Sequence, residues 1–225
     1  MEQRSIALDG PAAAGKSTLA RKAAGRFGLI YVDTGALYRT VGHYVHRKNT
    51  GSKNETAVIK LLPEISLEMK YDSDGTQRML LRGEDVTDAI RQPVISMYAS
   101  DVSAMPPVRA FLLSMQRKMA ENYDVIMDGR DIGTVVLPEA GLKVFITATP
   151  EARAKRRYLE LISRNIETTP GEVFREMNLR DKNDSEREAA PLRAAADAVI
   201  LDTTFMSLDE SFEALCGLIS GRFGI

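Results

Sequence analysis

The chain has 225 residues, 44% hydrophobic and 27% charged, ordinary values for a globular protein with a sizeable core. Its 30 Lys and Arg nearly cancel 31 Asp and Glu, so no global field draws it to nucleic acid or to a membrane, and neither is expected as a partner. The lone cysteine, Cys216, excludes an intrachain disulfide; with no signal-like apolar run in MEQRSIALDG and no stretch near ~20 apolar residues, a cytoplasmic protein is expected.

Ser5–Asp9 (SIALD) is a short apolar run stopped by Gly10-Pro11 and is expected to be a buried strand. Leu19, Ala20, Ala23, Ala24 and Phe27 repeat at helical spacing, which predicts a helix over Ser17–Phe27 with Gly28 just past its end. Leu29–Asp33 (LIYVD) reads as a second strand and Ala36–Arg47 as a helix. Residues 51–90 change character: SLEMKYD, SDG and TQRMLLRG predict a polar hairpin turning at Asp74-Gly75, set as an insertion into a βα sequence.

Two helical stretches broken at Pro106-Pro107 follow. Tyr123–Asp128 (YDVIMD) and Leu142–Ala148 (LKVFITA) are the third and fourth strands. Thr149 is expected to cap a strongly basic helix over Glu151–Ile166, with Pro150 at its first position. Residues 167–191 are polar and weakly periodic; Ala198–Thr203 is a fifth strand, and a final helix over Ser207–Ile219 packs Cys216 into the core. Apolar strands alternating with helices imply an α/β fold, its parallel sheet covered on both faces.

Gly10–Ser17 reads GPAAAGKS, a match to G-x-x-x-x-G-K-[ST] between a predicted strand and a predicted helix. The loop of Gly10, Pro11, Ala12, Ala13, Ala14 and Gly15 is expected to curl round the phosphates of a nucleoside triphosphate, at the positive end of the helix. Lys16 supplies a charge to the β- and γ-phosphates, the Ser17 hydroxyl a ligand for Mg²⁺, and Thr18 reaches a phosphate oxygen. Asp128 ends the third strand, where it either holds Mg²⁺ through water or caps the strand end. No Asn-Lys-x-Asp reads guanine; DKND at Asp181–Asp184 has the wrong order.

Transfer to a phosphate acceptor brings two anions together and calls for arginines. Arg39, Arg109, Arg130, Arg180 and Arg187 stand at predicted loop positions. Arg153, Lys155, Arg156 and Arg157 crowd one helical turn, either as a solvated face or facing phosphate. His43 and His46 lie three apart on a helix with no companion ligand and are not expected to bind metal. YVDTGALY (Tyr31–Tyr38) has the look of an aspartic-protease half-site, but its second match, VILDTT (Val199–Thr204), lacks the glycine, and no repeat links the two halves. In the P-loop setting Asp33 becomes an orienting residue, and Thr34, Tyr38 and Arg39 an acceptor-side clamp.

Five stretches in order resemble bacterial-type cytidylate kinases: DGPAAAGKST (Asp9–Thr18), DTGALYR (Asp33–Arg39), GEDVTDAIR (Gly83–Arg91), DGRDIGTVVLP (Asp128–Pro138) and RDKNDSEREAAPLRAAADAVILDTT (Arg180–Thr204). The resemblance implies a P-loop kinase core with a five-stranded parallel sheet, a monophosphate-binding region with a small β insertion, and a short lid. It implies transfer from ATP, with Mg²⁺, to CMP or dCMP; small-molecule nucleotides are the expected partners, and a monomer is the expected form. It places Arg39, Arg130 and Thr34 near the acceptor phosphate, Ser100, Arg109 and Asp131 at the cytosine edge, Arg180 and Asp184 at the ribose, and Arg187 near the phosphates. Arg153, Arg156 and Arg157 would flank the lid and neutralise ATP. Lys16, Arg130, Arg156 and Arg187 are the expected catalytic set. The expected organisation is one domain over 1–225, with core 1–33, 92–150 and 192–225, monophosphate region 34–91, and lid with flanking helices 151–191. Kinases of UMP, AMP or a small metabolite, and a nucleotide-dependent switch, are the alternatives.

Overall fold

The computed structural model describes residues 3–225. In chain order the elements are β1 (Ser5–Asp9), α1 (Lys16–Phe27), β2 (Ile30–Asp33), α2 (Thr34–Arg47), α3 (Glu55–Leu61), β3 (Leu67–Tyr71), β4 (Gln77–Leu81) and β5 (Glu84–Asp85). Then come α4 (Pro93–Ser103), α5 (Pro106–Asn122), β6 (Val125–Asp128), β7 (Leu142–Thr147), α6 (Pro150–Ser163), α7 (Pro170–Glu186), β8 (Val199–Asp202) and α8 (Leu208–Phe223). The main sheet has five strands in the order β2-β6-β1-β7-β8, and a second has three, β3-β4-β5. The chain divides into two compact units, one of residues 3–29 and 124–225, the other of 30–123.

In the first unit β1 lies parallel between β6 and β7, and β8 runs parallel to β7. Ile6, Ala7 and Leu8 of β1, and Val125, Ile126 and Met127 of β6, are fully buried. Burial on both faces is why these strands are unbroken apolar runs rather than alternating ones. Because the strands are parallel, the loops after β6, β1, β7 and β8 all leave from one edge of the sheet, the ligand-binding edge of such folds. Helix α1 buries Leu19, Ala20 and Ala23, and α8 buries Leu215, Cys216 and Ile219. Cys216 is thus a core residue, and burial pushes its thiol up, away from reactivity.

The stretch read as polar and weakly periodic contains α7. Its N-terminus is a capping box, with Thr169 and Glu172 satisfying each other's backbone N–H groups. Only Val173, Met177 and Asp184 of this helix are buried, so its apolar stripe is too narrow to show as periodicity. Val173 and Met177 pack with Ala154 and Leu161 of α6 in a small separate cluster.

In the second unit Leu37, Val41, Tyr44 and Val45 of α2 share a core with Ile95 and Val102 of α4, and with Val108 and Leu112 of α5. A Cβ on Gly42 would come 2.9 Å from the Ala99 backbone nitrogen, so glycine sets how closely α2 and α4 approach. The hairpin forms as expected: β3 and β4 pair antiparallel with Met69 opposite Met79, and Gly75 turns the chain at φ 78°. Helix α3, capped by Asn54, buries only Val58, which explains its absence from the sequence-based elements. This unit runs on to Tyr123 because α4 and α5 complete its core. Among the described residues no helix is long and apolar enough to cross a membrane.

Candidate active site

The loop between β1 and α1 owes its shape to residue size. Gly10 has φ 144°, and a Cβ there would lie 2.0 Å from the Ile146 carbonyl oxygen. Gly15, at φ 90°, leads into α1. Ala13 is also left-handed, at φ 55°, a conformation costing roughly 1–2 kcal/mol for a non-glycine residue and typical of functional loops.

Lys16 is buried, and its Nζ donates to the Pro11 carbonyl at 2.7 Å. Burial, then the positive charge of Arg130, push it down to about 7, against the pull of Asp128 and Asp9. The Ser17 hydroxyl donates to Asp128 Oδ2 at 2.6 Å. Thr18 is exposed on the first turn of α1. A hydroxyl and a carboxylate side by side at a phosphate loop are hard oxygen donors suited to Mg²⁺, which takes few protein ligands and keeps its waters.

Sequence reasoning missed the residue before this loop. Asp9 is buried, with Oδ1 accepting from Ile132 N–H at 2.8 Å and Oδ2 from Gly133 N–H at 2.7 Å. It fixes the start of the wide π-helical turn Ile132–Val136 that follows Arg130 and Asp131. Burial pushes Asp9 up to about 6, while the two backbone bonds hold it down and Asp131 adds to the rise. The sequence signal was its inclusion in the quoted DGPAAAGKST stretch, which carries no geometry.

Arg130 donates from Nε to Asp184 Oδ2 at 2.9 Å and from Nη1 to the Gly129 carbonyl at 3.2 Å. Asp184 is buried, which alone would raise it, yet Arg130, Arg180 and Arg187 hold it below the usual carboxylate range. Arg187 Nη2 lies 3.5 Å from Asp131 Oδ1, and its Nε donates to the Ala190 carbonyl at 2.7 Å. The first unit thus gathers Lys16, Asp128, Arg130, Asp131, Arg180, Asp184 and Arg187 into one charged cluster.

The arginines of α6 go three ways rather than forming one patch. Arg153 is buried and donates to the carbonyls of Ala148 at 2.9 Å and Ala12 at 3.2 Å, and to Asp181. Arg156 donates to the Thr203 hydroxyl at 3.0 Å and to the Thr203 carbonyl. Arg157 pairs with Glu160 of its own helix at 2.8 Å.

The second unit holds the other expected acceptor residues. Asp33 caps α2, accepting from Ala36 N–H at 2.9 Å with Oδ1 and from Arg39 Nη2 at 2.6 Å with Oδ2. Gln77, missed in the sequence, accepts from Asp33 N–H at 2.8 Å. Thr34 is buried at the first position of α2. The Arg109 guanidinium lies 5.6 Å from the centre of the Tyr38 ring and donates to the Ser103 carbonyl at 3.0 Å. The Ser100 carbonyl accepts from the Ser103 hydroxyl at 2.8 Å.

Asp202 has a local duty too, accepting from the Thr204 N–H at 2.8 Å, so each aspartate of the apparent protease pair is a structural acceptor. His46 stacks edge-on to Tyr98, and burial lowers His43. Among the described residues no group of three or more His, Cys, Asp or Glu could enclose a metal ion.

The sequence model of the family described as cytidylate kinase matches residues 6–220. A cytidylate kinase of Caldicellulosiruptor bescii is 47% identical over 218 residues, which is 97% of this chain and 96% of that protein. Another, of Lactiplantibacillus plantarum, is 44% identical over 217 residues, 96% of this chain and 95% of its own. An uncharacterized protein from Eubacterium ventriosum, of solved structure, aligns over 98% of this chain and 100% of its own with a TM-score of 0.54 at 13% identity, a likeness of fold alone. With its phosphate loop, its DGRD segment and a match along nearly its whole length, this chain belongs to the cytidylate kinase family.

Proposed function

We propose that this chain transfers the γ-phosphoryl group of ATP directly to CMP or dCMP, giving ADP and CDP or dCDP. One observation carries the reading beyond family membership: Lys16 is buried among cations, and Arg130 and Arg180 both add to its cost of charging. Such crowding is unfavourable in the free protein and becomes favourable when a polyanion enters. A donor triphosphate meeting an acceptor phosphate is such a ligand.

The acceptor phosphate is already anionic, so no strong general base is required. The chain's work is alignment and neutralisation. The Gly10–Gly15 loop and Lys16 hold the β- and γ-phosphates. Arg130 and Arg187 neutralise charge as the phosphoryl group passes, with Arg156 and Arg157 joining from α6 when the 151–191 segment closes and excludes water. Ser17 would ligate Mg²⁺ directly and Asp128 through water; bound there, the ion would neutralise the β- and γ-oxygens. Asp131 would accept from the cytosine amino group, where uracil offers a carbonyl and leaves the carboxylate unpaired. Arg180 and Asp184 are assigned to the ribose. Thr34, Tyr38, Arg39, Ser100 and Arg109 are assigned to CMP, each testable through its own KM. A monomer in the cytoplasm is the proposed working form.

The test is ADP release with CMP, dCMP, UMP and AMP as acceptors. CMP and dCMP should lead the panel. ATP binding without acceptor-dependent ADP release would leave a nucleotide-controlled switch instead.

A further inference from the structure

Helix α7 carries two aspartates three residues apart, Asp181 and Asp184, which helical geometry makes neighbours at about 5–6 Å between Cβ atoms. Asp184 holds Arg130 Nε at 2.9 Å, in the acceptor-side cluster. Asp181 faces the donor loop: Oδ2 accepts from Arg153 Nη1, and Oδ1 lies 3.4 Å from the Ala12 backbone nitrogen. The same Arg153 nitrogen donates to the Ala12 carbonyl at 3.2 Å. Both backbone polar groups of Ala12 therefore meet one largely buried ion pair, next to left-handed Ala13. The side chains of Arg153 and Asp181 are 6% and 18% exposed, so this is not a solvent-screened surface pair.

We infer that Asp181 is a positioning residue that couples the two nucleotide sites, acting through Arg153 on the phosphate loop. The inference rests on the proposed function, in which that loop takes ATP and the Arg130–Asp184 cluster takes CMP. The apolar anchorage of α7, through Val173, Phe174 and Met177 in the small cluster with α6, ends before its last two turns, so the ionic clasps at 181 and 184 fix its C-terminal half. When an acceptor rearranges the Arg130–Asp184 pair, the helical turn carrying Asp184 moves, and Asp181 moves with it. Arg153 and Ala12 then follow, because each is bonded to Asp181. Linkage makes the effect reciprocal: a donor that displaces the loop shifts the acceptor cluster by the same free energy.

The experiment measures binding of a non-hydrolysable ATP analogue, in magnesium buffer, with and without saturating CMP. For the wild-type chain CMP should change the donor Kd by about fivefold or more. In Asp181→Asn that ratio should fall towards one, whatever the change in each Kd measured alone. Glu186→Gln, which removes an exposed carboxylate from the same helix, should keep the wild-type ratio. Coupling that survives in Asp181→Asn, or that is absent from the wild-type chain, overturns the inference. Should the Asn variant fail to fold, Asp181→Glu decides: an intermediate ratio supports the role and an unaltered one rejects it. CMP-dependent ADP formation by the wild-type chain is measured alongside. Its absence rejects the proposed function, whereas its presence with unaltered coupling rejects only the role of Asp181.

Discussion

Ser17 and Asp128 are joined by a 2.6 Å hydrogen bond from hydroxyl to carboxylate, tying the first turn of α1 to the end of β6. The bond orients both oxygens at the phosphate loop. If they serve Mg²⁺, Asp128→Asn should lower kcat by about a hundredfold or more and raise the Mg²⁺ concentration needed for half-maximal rate. The check is a magnesium titration of the initial rate. An unaltered half-saturation point in Asp128→Asn would leave Asp128 as no more than a cap for Ser17.

Lys16 titrates near 7 in the free protein because burial and Arg130 both oppose its charge. A bound triphosphate reverses that balance and raises its pKa. At pH 8 donor binding should therefore take up close to one proton, and at pH 6 very little. Affinity should weaken as pH rises above about 7, by up to tenfold per unit. Calorimetry in buffers of different ionisation enthalpy reads the proton directly, and Lys16→Arg supplies the non-titrating control. Equal proton uptake by both proteins would mean that the titrating group is not Lys16.

The phosphate loop, the parallel strands and the hairpin were legible because each is written in consecutive residues. Gly10, Gly15, Lys16 and Ser17 are local, and so is the turn at Asp74-Gly75. The contacts that finish the site are not. Asp9 bonds to backbone groups 123 and 124 positions away, and Asp181 to Ala12 across 169. Such pairings follow from which elements adjoin in the fold, which no local pattern states. The split of Arg153, Arg156 and Arg157 likewise depends on what surrounds α6: Arg153 meets the Ala12 loop and α7, Arg156 the loop after β8, and Arg157 Glu160 of its own helix. Helix α7 was missed because a solvent-facing helix needs few apolar positions.

Asp9 offers a test of that long-range contact. Its raised value, about 6 against 3.8, means the folded state keeps a proton that the unfolded chain has released. Its contribution to stability is therefore fully present below the unfolded value and is lost as pH rises through about 6, by an amount of order 3 kcal/mol. Asp9→Asn removes that slope. It also leaves one of the Ile132 and Gly133 N–H groups unpaired, which costs about 1–3 kcal/mol. Urea melts between pH 4 and 7 should show the stability gap between wild type and variant shrinking as pH rises. A constant gap would show that Asp9 is ionised in the folded protein throughout. Loosening the turn that carries Arg130 and Asp131 should also lower kcat in the variant.

Gly35 separates stability from binding at Arg39. A Cβ there would stand 2.9 Å from Arg39 Nη1 and 3.1 Å from Asp33 Oδ1, too close for the resting ion pair to survive unaltered. The obstructed group is the tip of a flexible side chain, so the backbone need not move. Alanine in the first turn of α2 should stabilise that helix by up to about 1 kcal/mol. Gly35→Ala is therefore expected to hold or raise Tm while displacing the guanidinium. If Arg39 binds the acceptor phosphate from the position Asp33 gives it, KM for CMP should rise about tenfold, with KM for ATP unchanged. Arg39→Lys, which keeps the charge and loses the fork, should raise KM for CMP at least as much. A Gly35→Ala protein with normal KM for CMP would show that Arg39 reaches its substrate without help from Asp33.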